Sequence, residues 1–254
     1  MAINNDSSLS REDLVFGRNP VFELVKTGAE IDKILVAKEI RSDKIAFILS
    51  KARDRKIVVR EVPQQKLDYL CGGGNHQGVA AMLPARTYCS VEDILQFAKE
   101  KAQAPFVIVC DGIEDPHNLG AIIRTAEAAG AHGIIIPKNR SVGLNATVAK
   151  ASSGALEYMK IAKVTNLTAT LKELKDNGLW IYAADMDGGD YAKTDLSGPI
   201  ALVLGGEGSG VSRLVKENCD GVLSLPMYGS VNSLNVSVAG AILMYKAVGD
   251  RNKK

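Results

Sequence analysis

Three stretches of the chain set polar side chains beside apolar runs in a way that could serve chemistry. The first is DGIEDPHNLGAIIRTA, residues 111–126. Asn118 suits the opening of a helix as its N-cap, with Leu119, Ile122, Ile123 and Ala126 as the buried stripe. Arg124 is the only Lys or Arg in that helix, so it either reaches the surface or serves a pocket. The second is ALVLGGEGSG, residues 201–210. It looks like a phosphate loop but fails both standard spacings. A dinucleotide fingerprint begun at Gly206 needs glycine at position 211, and a P-loop begun at Gly205 needs lysine there; the residue is Val211. That argues against NAD and ATP. Glu207, in the middle of the loop, would repel a phosphate and better suits orienting an amide, a hydroxyl or a guanidinium. The plainer alternative is a helix entry capped by Ser209 or Ser212. The third is LPMYGSVNSLNVSVAG, residues 225–240. Ser233 is a natural cap there, which would put Asn235 in the first turn beside exposed backbone donors. Its plainer alternative is a capped, buried helix.

Other chemistries find less support. His76, His117 and His132 lack metal-ligand spacing; His132 reads as structural, and His117 lies beside Asn118. The four cysteines, Cys71, Cys89, Cys110 and Cys219, form no CxxC pair, which disfavours a cysteine metal site or a disulfide scaffold. With 46% hydrophobic and 24% charged residues and a net charge of +2, the 254-residue chain is ordinary globular material, not a disordered one. No stretch is long and apolar enough for a membrane span. The polar Met1–Ser10 has no secretory h-region, so the expected compartment is the cytoplasm.

These segments need elements to hold them. From Phe106 onward apolar strands alternate with amphipathic helices. The strands expected are Phe106–Cys110, Gly133–Ile136, Leu179–Ala183, Ile200–Leu204 and Val222–Leu225. Helices are expected near Leu119–Ala129, Asn145–Ser152, Leu167–Asp176, Val211–Asn218 and Leu234–Val248. This alternation predicts an α/β fold with a parallel sheet covered on both faces. Ligands then sit at the carboxyl ends of strands, in the loops after Cys110, Ala183, Leu204 and Leu225. A smaller mixed domain precedes it, with helices at Val21–Lys26 and Lys44–Asp54 and strands at Ile31–Ala37, Ile57–Val62 and Val79–Met82. Within residues 41–60 seven basic residues (Arg41, Lys44, Lys51, Arg53, Arg55, Lys56, Arg60) face two acidic ones (Asp43, Asp54). Such a cluster attracts a polyanion such as RNA, although a solvated helix face explains it too. The glycine-rich Cys71–Gly78 is either a ligand-contacting loop or a flexible turn.

Read together and in order, the three segments resemble the three motifs of the SpoU (TrmH-type, SPOUT) family of RNA ribose 2′-O-methyltransferases. The stretches that carry the resemblance are DGIEDPHNLGAIIRTAEAAGAHGIII, ALVLGGEGSGVSRLVKENCD and LPMYGSVNSLNVSVAGAI. FGRNPVFELVK, the basic segment and NHQGVAA resemble the L30e-like substrate-binding domain of the RlmB-like members, which methylate a guanosine of 23S ribosomal RNA. The resemblance implies a C-terminal trefoil knot, S-adenosylmethionine (AdoMet) as methyl donor and a homodimer. It divides the chain into a flexible N-terminus (1–10), an L30e-like RNA-binding domain (11–85), a linker with a leading helix (86–104) and the methyltransferase domain (105–250).

Carried over by position, Asn118, Arg124, Glu207, Ser233 and Asn235 are the catalytic set, and Gly205, Leu225, Leu234 and Ala184 lie against AdoMet. The family assigns the position of Arg124 the role of general base. Arginine stays protonated in proteins, so an electrostatic role on the target's phosphate and the developing alkoxide suits it better. No metal is implied. Relatives that methylate tRNA, or a 23S adenosine in thiostrepton resistance, are alternatives, as is a non-catalytic RNA-binding ribosome assembly factor. A nucleotide-dependent oxidoreductase is disfavoured by Val211.

Overall fold

The structure is a computed structural model that describes residues 14–253 except Glu39, Arg41, Ala85 and Arg86. The expected flexible N-terminus, the base at Arg41 and part of the expected linker lie outside the described residues. The chain folds as two compact units, the second beginning at Thr87.

The first unit has strands β1 (Leu14–Phe16), β2 (Lys33–Ala37), β3 (Val58–Val62) and β4 (Val79–Met82), with helices α1 (Arg18–Thr27), α2 (Asp43–Asp54) and α3 (Gln64–Leu70). The sheet order is β1-β4-β2-β3, with β2 and β3 parallel and the other pairs antiparallel. Val21, Val25, Ile34, Ile45 and Ile48 fill the core between α1, α2 and one sheet face. Two elements escaped the sequence reading. β1 is only three residues long, and α3 buries a single residue, Leu67, so neither leaves a period to read.

The basic cluster is divided in its duties. Arg55 donates to the carbonyls of Val25 (3.3 Å), Gly28 (2.9 Å) and Ala29 (2.6 Å) and so closes the end of α1. Arg53, Lys56 and Arg60 stay exposed. The glycine-rich loop is pinned. His76 Nδ1 accepts from the Gly78 amide at 3.0 Å, which leaves Nε2–H to donate to Asp68 at 2.9 Å. Gln77, at φ 50°, accepts twice from Arg18 at 3.1 Å.

The second unit opens with α4 (Val91–Glu100), started by a Ser90/Asp93 capping box. It continues through β5 (Phe106–Asp111), α5 (Pro116–Ala128), β6 (Gly133–Pro137), α6 (Ala146–Ala151), β7 (Ile161–Val164) and α7 (Leu167–Asp176). After these come β8 (Trp180–Asp190), β9 (Ile200–Gly205), α8 (Arg213–Glu217), β10 (Gly221–Ser224) and α9 (Val236–Arg251). The six strands pair in parallel throughout, in the order β10-β8-β9-β5-β6-β7. β9 is buried along its whole length and β5 up to Asp111. That burial is why both read as unbroken apolar runs.

The order reverses between β5 and β9. Their carboxyl ends, Asp111 and Gly205, are partners in the register, so a crevice is expected at that point. β7 was missed because Ile161–Val164 is short and carries Lys163. At the far end of α9, Arg251 donates to the carbonyls of Ala104 (2.9 Å), Pro105 (3.0 Å) and Gly198 (2.7 Å), fastening the helix beneath the sheet.

Candidate active site

Tight turns bring the three segments together. Asp111, at the end of β5, accepts the Gly206 amide on its carbonyl (2.8 Å) and the Ser212 amide on Oδ2 (2.7 Å). The glycine loop folds back on itself, with Gly210 N donating to Gly206 O at 3.0 Å. Its first two glycines have no room for a side chain. A Cβ on Gly205 would lie 2.0 Å from the Gly210 carbonyl carbon, and one on Gly206 would lie 2.1 Å from Gly112 O. The glycines thus let backbone meet backbone; no phosphate is needed to explain them.

Two expected caps fall elsewhere. Asp115, not Asn118, caps α5: it accepts from His117 N at 2.6 Å, and Pro116 takes the first helical position. Asn118 therefore lies inside the first turn, 7% exposed, with its amide free to work. Likewise Asn235, not Ser233, caps α9; its Oδ1 accepts from Ser237 N (3.0 Å) and Ser237 Oγ (2.6 Å). Ser212 stands at the N-cap of α8, but its side chain makes no capping bond, and Ser209 lies in the glycine loop before it.

The freed side chains meet. Asn118 Nδ2 and Asn235 Nδ2 both donate to Glu207 Oε1 at 2.9 Å, and Asn235 Nδ2 also donates to Asn118 Oδ1 at 2.9 Å. One residue from each of the three segments closes this junction. Glu207 Oε2 takes no protein hydrogen bond among the described residues.

Beside the junction lies a cavity of about 460 Å³, within the size range of small-molecule sites. Its walls include Ala184, Gly205, Glu207, Leu225, Ser233, Leu234 and Asn235. All four expected donor contacts and three of the five expected catalytic residues thus line one space. Asn118 joins it through the junction. Arg124 does not line it. Six positions on from Asn118 along α5, Arg124 is exposed and donates to Ser153 Oγ at 3.3 Å. Ser153 is held at φ 51°, a region non-glycine residues seldom adopt; nothing in its sequence neighbourhood signalled that contact.

Asp185 and Met186 also line the cavity and were missed, because the strand was expected to stop at Ala183. β8 instead runs on, with a shift in register. Ala183 pairs with Val222, but the next β10 residue, Leu223, pairs with Gly189. Residues 184–188 thus bulge from the ladder. Burial pushes the Asp185 carboxyl up, but the Lys216 ammonium and nearby backbone amides outweigh it and hold the group below the usual carboxylate range.

Residues 105–245 match the SpoU rRNA Methylase family, and residues 14–89 match the RNA 2′-O ribose methyltransferase substrate-binding family. A Bacillus subtilis protein described as a putative TrmH family tRNA/rRNA methyltransferase is 45% identical over 243 residues, 95% of this chain and 97% of its own. The chain belongs to the SpoU rRNA methylase family. Among solved SpoU structures, the Streptomyces viridochromogenes methyltransferase AviRb, in complex with AdoMet, superposes with a TM-score of 0.61 at 24% identity. That match covers 95% of this chain and 91% of AviRb. The A. aeolicus TrmH/SpoU tRNA modifying enzyme has a TM-score of 0.55 at 31% identity, covering 59% of this chain and 77% of its own. In this SpoU chain no Lys or Arg lines the cavity, and its charged lining residues are Asp185 and Glu207. Asp185 is already paired with Lys216 from outside the lining, so Glu207 is the unpaired charge among the described residues; the walls offer hydrogen-bond acceptors to a nucleoside and no cation to a polyphosphate. No group of three or more metal-ligating side chains occurs among the described residues.

Proposed function

We propose that this RNA methyltransferase transfers a methyl group from AdoMet to a ribose 2′-oxygen of RNA, most specifically a guanosine of 23S ribosomal RNA. The observation that carries the reading is the Asn118–Glu207–Asn235 junction beside a phosphate-averse cavity. The donor fits that cavity: AdoMet is a nucleoside sulfonium with no phosphate, and the walls are acidic and apolar. Gly205, Leu225, Leu234 and Ala184 would hold it, largely through backbone groups that can read an adenine edge. When bound, it supplies an electrophilic methyl group.

The chain's own residues then act on the acceptor. A 2′-hydroxyl is a poor nucleophile until its proton leaves or its developing charge is stabilised. Arg124 makes one long hydrogen bond and is exposed, so its guanidinium keeps donors for a target phosphate and for the nascent alkoxide. Phosphate or water takes the proton. Asn118 and Asn235 orient the ribose, Glu207 fixes both amides, and Ser233 holds the loop.

The first unit, 11–85, binds structured RNA through its exposed bases, and 86–104 joins it to the catalytic domain at 105–250. The enzyme works in the cytoplasm as a homodimer. Val238, Ile242 and Tyr245 lie four and three residues apart on α9, all exposed, and this apolar stripe suits a second copy. The trefoil knot is part of the same proposal.

The substrate test compares labelled methyl transfer to 23S ribosomal RNA and to total tRNA. Label on one 23S guanosine is expected. Label confined to tRNA would overturn the substrate and leave the chemistry in place.

A further inference from the structure

The bulge in β8 turns one charged side chain, Asp185, to the cavity wall, and the chemistry above does not use it. We propose that Asp185 reads the ribose hydroxyls of the nucleoside donor, with Lys216 as its positioning partner. The proposal rests on the donor reading of the cavity. Its ground is the placement of the carboxylate. Residues 184–188 stand outside the β8–β10 ladder, and Gly188 permits this because a Cβ there would lie 2.6 Å from the Val222 backbone. Asp185 lines the cavity, and its side chain is 13% exposed. On the other side, Lys216 of α8, which does not line the cavity, reaches Asp185 Oδ2 at 2.5 Å. The same oxygen lies 3.5 Å from where a Gly210 Cβ would sit, against the glycine loop.

Charge and hydrogen-bond capacity narrow what such a group can recognise. An ionised carboxylate only accepts. Lys216 occupies Oδ2, whereas the other contacts of the carboxylate are weak ones from its own loop, the Met186 amide and Asp187 N at 3.4 Å from Oδ1. An acceptor oxygen therefore remains at the cavity wall. Its charge is already neutralised by Lys216, so the pair is a poor counter-ion for a second cation and a good acceptor for neutral donors. On a nucleoside those donors are the ribose hydroxyls, since the adenine edge can be met by backbone.

The test is calorimetric binding of S-adenosylhomocysteine and of its 2′-deoxy and 3′-deoxy analogues to the full chain. In the wild type, loss of the hydroxyl that Asp185 reads should weaken binding about tenfold or more, as for a hydrogen bond to a charged group. Asp185→Ala and the shape-keeping Asp185→Asn should bind the parent ligand about tenfold more weakly, with almost no further penalty for the deoxy analogue. An equal penalty in variants and wild type would overturn the proposal, as would a wild type indifferent to both hydroxyls. Lys216→Gln should shrink the penalty without abolishing it; an undiminished penalty would remove Lys216 from the account. A natively melting wild type that binds no S-adenosylhomocysteine would instead overturn the donor reading of the cavity itself.

Discussion

At the scale of single residues the site is an arrangement of amides around one carboxylate. Glu207 Oε1 accepts from Asn118 and Asn235, which come from different segments, so removing it loosens both at once. Glu207→Ala should lower methyl transfer at least about tenfold, because it releases both amides of the junction. Glu207→Gln keeps an acceptor oxygen and should fall between. Steady-state kinetics with a thermal melt check this; Glu207 is exposed, so the melt should barely move. Asn118 and Asn235 were legible as polar residues opening helices, but which of them caps was not: Asn118 was expected to cap and does not, and Asn235 caps in place of Ser233. A side chain at a helix start can close the helix or leave it, and the presence of Asp115 before Pro116 decides for Asn118. The Arg124–Ser153 contact could not be read at all, since it joins α5 to the turn after α6 without a pattern.

At the scale of elements, the parallel strands were visible because burial on both faces removes alternation. Their ends were not. β8 continues through DMDGGD, a run whose Asp and Gly content reads as a turn, and only pairing with β10 across a bulge extends it. Residues with strong cavity roles, Asp185 above all, hid in that error. His132 shows the opposite case, a residue correctly read as structural. It is 1% exposed, accepts the Phe106 amide at 3.0 Å and donates to Gln103 at 3.0 Å, tying the start of β5 to the turn before β6. Burial, with the charges of Arg251 and Lys101, pushes its pKa down to about 4. The folded protein keeps it neutral while the unfolded chain protonates near its ordinary value of 6.5. Its contribution is thus complete above pH 6.5 and lost as pH falls toward 4. Up to about 3 kcal/mol should disappear across that window. Urea unfolding at pH 7 and pH 4.5 measures it, and His132→Gln should flatten that part of the profile.

At the scale of the whole molecule, the proposed function gives RNA recognition to the first unit and chemistry to the second, and it seats a second copy on the exposed stripe of α9. The proposed homodimer predicts a wild type that sediments as a dimer and an Ile242→Glu variant, with a charge in that stripe, that sediments as a monomer; a variant that remains dimeric would move the interface elsewhere. The proposed division at 85 and 105 comes from the resemblance, since neither strand nor helix periodicity marks a boundary there. Hydrophobic period carries no information about which segment passes through which loop, so the proposed knot rests on the resemblance alone. The central claim is methyl transfer to a ribose 2′-oxygen with Arg124 as the electrostatic partner. The most direct measurement is labelled transfer to 23S ribosomal RNA, with the product mapped by its resistance to alkaline cleavage, in wild type, Arg124→Ala and Arg124→Lys. The account predicts one resistant linkage in the wild type and at least about a hundredfold less label in both variants, since lysine lacks the planar fork. Near-normal label from Arg124→Lys, or label at a linkage that alkali still cuts, would contradict it.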